Sequence, residues 1–444
     1  MLVFLLIYVA LFATALTVVL WPSPQRPRFG DAVLDGTAST GLEDWSATSE
    51  AGAMSLRQAR FEGTDAPPGA QTAIELQRSG GVGQWAFAVA NLRRPERFFQ
   101  IGQTYRMQVY VRDLGATGQP IGLAVANHAF QHRPTQACVY ASYQDSSWHL
   151  ITRTFVATAA ASSDTALYLV LPPEGAMHWQ LTRASVRAVQ AAVPARVAGP
   201  ATTIISFAGA AGAAPDAGQW SYEATGQGSS DLQTYTSRPA NAQLDGAGRL
   251  VLSALREKVI GADKVRRAYT SARVTTINKV TVQAGSYVEA EIEAPDGVGV
   301  RPAFALVGTN ISRVGWPAAG ELDVLGATGA GITVAHLAAK DNSHQDLPYT
   351  WAEAGDATQL VADGKAHRYG VYFDGKTVRL YVDRQVRMAL WAKDADASGR
   401  TWPFGAAQYL TLTVAVGGVD PSHTVFPQRM TVGPISIWAG GVPF

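Results

Sequence analysis

From about residue 31 to the C-terminus this chain is written in short runs of alternating apolar and polar residues. Gly, Pro, Asp and Ser break the runs at close intervals. The segments YRMQVYV at 105–111, WHLITRTF at 148–155, TALYLVL at 165–171 and LTRASVRAV at 181–189 are examples. Successive side chains of a strand point to opposite faces, so a period of two marks a strand with one buried face. No convincing amphipathic helical pattern interrupts these runs. Many short strands without helices predict an all-β chain of the β-sandwich or jelly-roll type. The chain has 444 residues, too many for one ordinary domain, and two such domains in tandem are expected.

Composition narrows the function classes. Hydrophobic residues make up 47% and charged residues 16%, enough to bury sizeable cores, which excludes a disordered or fibrous protein. Lys and Arg total 36 against 35 Asp and Glu, a net charge of +1. A nucleic-acid partner is therefore not expected, because nothing supplies a basic surface for the phosphate backbone. Cys138 is the only cysteine, so no disulfide within the chain and no cysteine-rich zinc site can form. There is no phosphate-binding loop and no His/Cys ligand set, and no cofactor and no metal site are expected.

Residues 1–21 are apolar except for Thr14 and Thr17, and Pro22, Pro24 and Pro27 follow. About 20 apolar residues let a helix cross a bilayer with its backbone groups bonded internally. The run is longer than the apolar region of a signal peptide and no small-residue cleavage site precedes the prolines. It is expected to be an uncleaved transmembrane anchor, followed by a Pro-rich spacer at 22–30; cleavage would instead give a secreted protein. Arg26 and Arg28 would favour a cytoplasmic C-terminal side. The domains that follow argue for export, and an extracytoplasmic, membrane-anchored placement is expected.

The first β-rich region covers 31–190. It resembles carbohydrate-binding modules of the family 4 and 9 type in the 105–111 strand, in the 148–155 strand and in its closing strand with SVR at 185–187. That resemblance implies aromatic faces for stacking on sugar rings. Trp45, Trp85, Phe87, Tyr140, Tyr143 and Trp179 are available, and filling the core is the ordinary role of any one of them. Trp85 follows the glycine-rich stretch GGVGQ at 80–84 and is the one assigned to sugar. Residues 191–203, AAVPARVAGPATT, have the composition of a linker.

The second region, 204–440, carries an ordered set of segments. They are YTSARVTT at 269–276, GSYVEAEIEAP at 285–295, GVRPAFALV at 299–307 and GWPAAGELDVL at 315–325. HRYGVYF at 367–373, VRLYVD at 378–383, VAVGG at 414–418 and FPQRM at 426–430 complete it. In this order and spacing they resemble glycoside hydrolase family 16, particularly its laminarinase-like β-1,3-glucanases. The resemblance implies a jelly roll of two curved antiparallel sheets with a cleft across the concave face.

In the family the central strand reads Glu-x-Asp-x-x-Glu, with a β-bulge after the Asp. Glu321 and Asp323 lie two apart on a strand and share a face. A bulge adds one residue and returns the next acidic position to that face. Retaining glycosidases need two carboxyl groups about 5–5.5 Å apart, one as nucleophile and one as general acid/base. The resemblance makes Glu321 the nucleophile and Asp323 its helper. The acid/base position falls on Gly326, or on Leu325 without the bulge, so the second carboxyl is missing.

Other positions depart from the family as well. Arg301 stands where a cleft Trp is usual and Ala305 at the next Trp. Ser230 and Asp231 replace an Asn-Glu pair, and Thr413 replaces an Asn. Trp316, Pro317, Phe304 and Gly417 are kept as core-type residues. Substrate contacts are assigned to Trp316, His336, Arg301, Asp231 and Trp85. His336, Asp341, His344, Asp346 and Glu353 are candidates for a displaced proton donor, with a solvated loop as the ordinary reading of all of them. Glu289, Glu291 and Glu293 alternate on one strand face and read as a solvated face. Structural calcium occurs on the convex side of such jelly rolls, but no acidic cluster here demands it.

Two glycan-directed functions remain open on the residues, with a partner-docking scaffold that binds no glycan ranked below them. One is a membrane-anchored retaining endo-β-glucanase or transglycosylase acting on a β-linked polysaccharide, weakened by Gly326. The other is a non-catalytic polysaccharide-binding scaffold of the cell envelope.

Overall fold

The computed structural model describes residues 30–444 except 62–64, 84–85, 128–137, 158–159, 191–192, 225–230, 262, 327–331, 337–363 and 398–400. The expected transmembrane segment, Trp85, Asp341, His344, Asp346 and Glu353 lie outside the described residues. No helix among the described residues is long and apolar enough to cross a membrane.

The described chain is built from four antiparallel-rich sheets, as the period-two patterning predicts. Two five-stranded sheets come from the first part of the chain. One runs in the order Trp45–Ser49, Ala86–Asn91, Ala166–Val170, Pro120–Ala126, Cys138–Ser142. The other runs Ser55–Arg60, Thr72–Arg78, Met177–Ala188, Thr104–Asp113, His149–Val156. Their facing sides supply Ile74, Leu76, Met107, Val109, Leu123, Leu167, Leu169 and Trp179, all with no exposed surface. Trp179 and Trp45 are therefore core residues, while Phe87 is buried in a small cluster with Tyr168.

The second part forms a ten-stranded and a seven-stranded sheet. The seven-stranded sheet orders Ser221–Tyr222, Arg273–Thr275, Gln408–Val416, Val300–Gly308, Glu321–Gly326 and Ile332–His336, with Thr281–Val282 paired to the Gln408 strand. Its inward face carries Val274, Phe304, Leu306, Leu322, Leu410, Leu412 and Val414, again with no exposed surface. The ten-stranded sheet packs Val288, Ala290, Ile292, Val371, Leu380, Val432 and Ile435 into the same core. Side chains at the alternate positions of the seven-stranded sheet are left to face outward, and these build the site described below.

Among the described residues, contacts of two kinds join the parts. The chain around 195–197 is docked, since Val442 N donates to the Ala195 carbonyl at 2.8 Å and Val197 N to the Val442 carbonyl at 2.8 Å. Thr203–Ile205 then pairs with Gln428–Ala439. The composition of 191–203 suggested a linker, yet its second half spends its backbone donors on the final strands. The edge strand His149–Val156 also meets the edge strand Gln385–Trp391, where Val156, Ala389 and Trp391 form a small buried cluster. Beside it the buried Asp394 accepts a hydrogen bond from Thr154 N at 2.6 Å.

The outer face of the ten-stranded sheet corrects one expectation. Glu289 is buried, not solvated. Its carboxylate receives both Arg384 Nε at 3.0 Å and Arg384 Nη2 at 2.9 Å, and Tyr287 Oη donates to it at 2.9 Å. Gly370 lies directly across from Glu289. Any Cβ there would collide with the Tyr287 hydroxyl, so a glycine is what lets this network close. Glu291 and Glu293 do remain exposed.

Candidate active site

Strand register fixes which outward side chains share the concave face. Residues directly opposite each other in neighbouring strands point the same way. Glu321 pairs with Val307, and Val307 with Tyr409. One row further on, Asp323 pairs with Ala305, then Thr411, then Thr275. The next row holds Gly326, Ala303, Thr413 and Arg273.

The rows keep step only because of a bulge. Ala305 faces Asp323 while Phe304 faces Leu325, so Val324 is an extra residue in the strand. The same irregularity separates Asp323–Val334 from Gly326–Ile332 on the other side. Burial follows it: Glu321, Asp323 and Gly326 are half-buried, whereas Leu322, Val324 and Leu325 are fully buried. The residue on the cleft side after the bulge is therefore Gly326 and not Leu325.

Trp316 is not a core residue. It is 47% exposed, and its indole Nε1 donates to Glu321 Oε2 at 2.7 Å. This glutamate is half-buried at the sheet surface, and the indole hydrogen bond orients its carboxyl group. Arg301 and Asp231, two predicted substrate contacts, are brought together as an ion pair. Asp231 also accepts Gln233 Nε2 at 3.1 Å, and Gln233 Oε1 accepts Val416 N at 2.7 Å, so the pair is anchored to the strand Gln408–Val416. His336 faces Glu321 across the ladder at the level of the backbone. Trp85 lies outside the described residues.

Several charged and phenolic residues of this face were missed from the sequence. Arg273 pairs with Glu223 at 3.0 Å. Burial opposes the Arg273 cation, but Glu223, Tyr235, Glu321 and Tyr409 raise its pKa above the usual guanidinium value. Burial also pushes the Tyr409 phenol up to about 12, with Glu223 and Glu321 adding to it and Arg273 opposing. Arg273 thus stands within the field of both Glu223 and Glu321. The signal that could have found it was its register with Thr413, a position already suspected. Among the described residues no group of three or more His, Cys, Asp or Glu side chains could hold a metal.

The first part of the chain shows a second polar array. Arg57, Glu75, Gln180 and Arg112 lie directly opposite one another across four strands. Arg57 Nη2 reaches Glu75 Oε1 at 2.5 Å, Gln180 Nε2 reaches Glu75 Oε2 at 3.2 Å, and Arg112 Nη2 reaches Gln180 Oε1 at 2.7 Å. The row ends on Trp148, whose ring lies 4.9 Å below the Arg112 guanidinium carbon. Trp148 was noted only as a strand residue in the sequence. Of the aromatics suggested for stacking, Tyr143 is half-buried and lies flat on His149 at 3.8 Å.

No family model matches the chain. Among curated proteins it is 28% identical to a β-glucanase of Rhodothermus marinus, over 50% of this chain and 80% of that one. It is 29% identical to a glucan endo-1,3-β-glucosidase of Cryptopygus antarcticus, over 47% of this chain and 81% of the relative. Among solved structures, an endo-β-1,3-glucanase from Pyrococcus furiosus matches 56% of this chain and 98% of its own, with 25% identity and a TM-score of 0.48. Over about half of its length, the chain resembles the laminarinase-like β-glucanases of glycoside hydrolase family 16.

Proposed function

We propose that the concave face of the seven-stranded sheet is a polysaccharide cleft of the retaining endo-β-glucanase type, in which Glu321 is the nucleophile and Asp323 its helper. The observation that carries this reading is the bulge at Val324, which puts Glu321, Asp323 and Gly326 on one face. Trp316 aims the Glu321 carboxylate. Glu321 attacks the anomeric carbon, and Asp323, one step along the same face, tunes its charge. The side chain that would protonate the leaving sugar is replaced by Gly326. General acid catalysis is typically worth about 10²–10⁴ in rate, so hydrolysis of an unactivated β-glucan is slow here.

Gly326 also favours a second reading, a binding protein built on a hydrolase scaffold. The polar row that ends on Trp148 offers such a protein another glycan-facing surface. In either case residues 1–21 anchor the chain in a membrane, with both β regions on the extracytoplasmic side.

The test is reducing-end release by the full chain in detergent from β-1,3-glucan, mixed-linkage glucan and galactan, beside glycan retention in a pull-down. Slow cleavage that disappears in Glu321→Gln supports the enzyme. Retention without any cleavage supports the scaffold. Neither cleavage nor retention would sink both readings.

A further inference from the structure

We infer that the hairpin formed by Leu250–Ile260 and Arg266–Ser271 rests with its tip on a bilayer that carries anionic lipid. Ile260 and Val265 enter the interface, and Lys258, Lys264 and Arg266 meet the headgroup phosphates. This goes beyond the reading of the cleft and depends neither on it nor on residues 1–21.

The hairpin projects past the sheet that carries it. Its first strand pairs with Gln428–Ala439 as far as Ala254, opposite Gln428, while Leu255 to Ile260 continue beside Arg266–Ser271. The turn at its end is held by its own side chains. Asp263 accepts Arg267 Nη1 at 3.0 Å, Arg267 Nη2 at 2.6 Å and Val265 N at 3.1 Å. Gly261 N donates to the Val265 carbonyl at 2.9 Å.

Ile260 is 61% exposed and Val265 47%. Ile260 lies opposite Arg266, so these two share a face, and Val265, next to Arg266 in the chain, points to the other. Apolar side chains on both faces of one tip suit a medium that surrounds it, as a bilayer interface does; a flat protein surface would cover one face. Behind the tip, the loops 296–299 and 419–425 expose Val298, Val419 and Val425. Arg256 ties the second loop to the hairpin through the Pro421 and Ser422 carbonyls at 3.1 and 2.7 Å, and Thr424 Oγ1 donates to the Val298 carbonyl at 2.6 Å. Five of the twelve large apolar side chains exposed among the described residues are therefore gathered at this end, and such a cluster marks a contact surface.

Charge selects the partner. Residues 256–267 hold Arg256, Lys258, Lys264, Arg266 and Arg267 against Glu257 and Asp263. Both acids are neutralised from within the fold, Glu257 by Arg238 and Asp263 by Arg267. Lys258, Lys264 and Arg266 are exposed and take part in no ion pair among the described residues. Asp420, the only acid of the loop 419–425, is turned back on Ser422 N at 2.9 Å. Lys264 keeps its place although its backbone is left-handed, with φ at 63°, where glycine is favoured. An apolar tip with cations directly behind it is what an anionic membrane surface attracts.

Each cation near an anionic surface multiplies the partition by about five, so three together are worth about 10²-fold. The apolar pair adds affinity that salt does not screen. Such a contact orients the second β region on the membrane. The strand Gln233–Tyr235 pairs with Arg266–Ser271, and Asp231 lies just before it, so the Arg301–Asp231 end of the concave face is the end turned towards the bilayer.

The experiment reconstitutes the full chain with vesicles of phosphatidylcholine alone or of equal parts phosphatidylcholine and phosphatidylglycerol. Cys138→Ser removes the one native thiol, and Val265→Cys carries an environment-sensitive fluorophore. Ile101→Cys, exposed in the first β region, is the reference position. Quenching by spin-labelled lipid reads the inserted fraction. The expected result is quenching at 265 in anionic vesicles and little at 101. The docked-to-free ratio should fall about 10²-fold in neutral vesicles, and equally in the triple variant Lys258→Gln, Lys264→Gln, Arg266→Gln, whose unfolding midpoint should match the parent's. No quenching at 265 would overturn the inference. Equal quenching in neutral and anionic vesicles would overturn it by removing the role of the cations. Equal quenching at 101 and 265 would overturn it too, as a general collapse onto the bilayer. A fluorescence shift at 265 that grows with protein concentration in the absence of lipid would assign the tip to a second copy and overturn it as well.

Discussion

Glu289 and Glu321 are both strand glutamates of the same half of the molecule, and the structure treats them in opposite ways. Glu289, on the outer face of the ten-stranded sheet, is buried and gripped by a bidentate Arg384 and a tyrosine hydroxyl. Glu321, on the concave face of the seven-stranded sheet, is half-buried and has an exposed tryptophan N–H on one oxygen. The first carboxylate is satisfied by the protein and has little left to offer a ligand. The second is oriented by an indole N–H at the sheet surface, where a carboxyl group can meet a ligand. Alternation along a strand tells which residues share a face. It does not tell whether the face is covered, and this decides between a structural and a chemical glutamate.

The comparison can be tested by substitution, the largest effect first. Gly326→Glu should raise reducing-end release from neutral β-1,3-glucan by about 10²–10⁴-fold, because it returns a proton donor to the cleft side of the bulge. An unchanged rate, with glycan still retained, would mean that the cleft has been repurposed for binding. Glu289→Ala should act on stability alone. Removing one partner of a buried ion pair costs about 3–5 kcal/mol, and the part-exposed Arg384 reduces this to about 2 kcal/mol. Denaturant unfolding should show that loss while glycan retention stays as in the parent chain. Trp316→Phe should do the reverse. It keeps the ring and removes the N–H that holds Glu321, so dinitrophenyl glycoside turnover should fall about tenfold, as expected for one hydrogen bond to a charged group, with little change in unfolding midpoint.

The smallest effect concerns the joint between the two parts. Burial raises the Asp394 pKa above 3.8, so between that value and its folded pKa the folded chain holds a proton that the unfolded chain has lost. Stability contributed at this site therefore declines as pH rises through that window and is level above it. Asp394→Asn keeps an acceptor for Thr154 N and cannot ionise. Its unfolding free energy should lose that slope and be equal to or above the parent's at neutral pH. A steeper slope in the variant would contradict the assignment.

The sequence made the strands legible because their period is local. The 105–111 run appears within the strand Thr104–Asp113, and the 367–373 run within Ala366–Phe373. The line Glu321, Asp323, Gly326 was also legible, because the expected bulge needed only one extra residue. Contacts between distant residues were not. Arg301 and Asp231 were each suspected, but nothing local says that residues 70 apart will pair. Glu289 looked solvated because its partner Arg384 comes from a turn 95 residues later. Trp316 falls by sequence among the kept core-type residues Pro317, Phe304 and Gly417, and its own segment carries no information on which of them the fold leaves exposed. The linker composition of 191–203 likewise could not announce its docking on the final strand.

The most direct test of the concave-face assignment is to trap the nucleophile. A 2-deoxy-2-fluoro β-glucoside chain with a dinitrophenyl leaving group needs no general acid to react and stalls after the first step. Mass spectrometry of the digested protein should find one added glycosyl group on the peptide that contains Glu321, absent in Glu321→Gln. An adduct on another carboxylate, or none from a chain that retains the glycan, would contradict Glu321 as the residue that bonds to sugar.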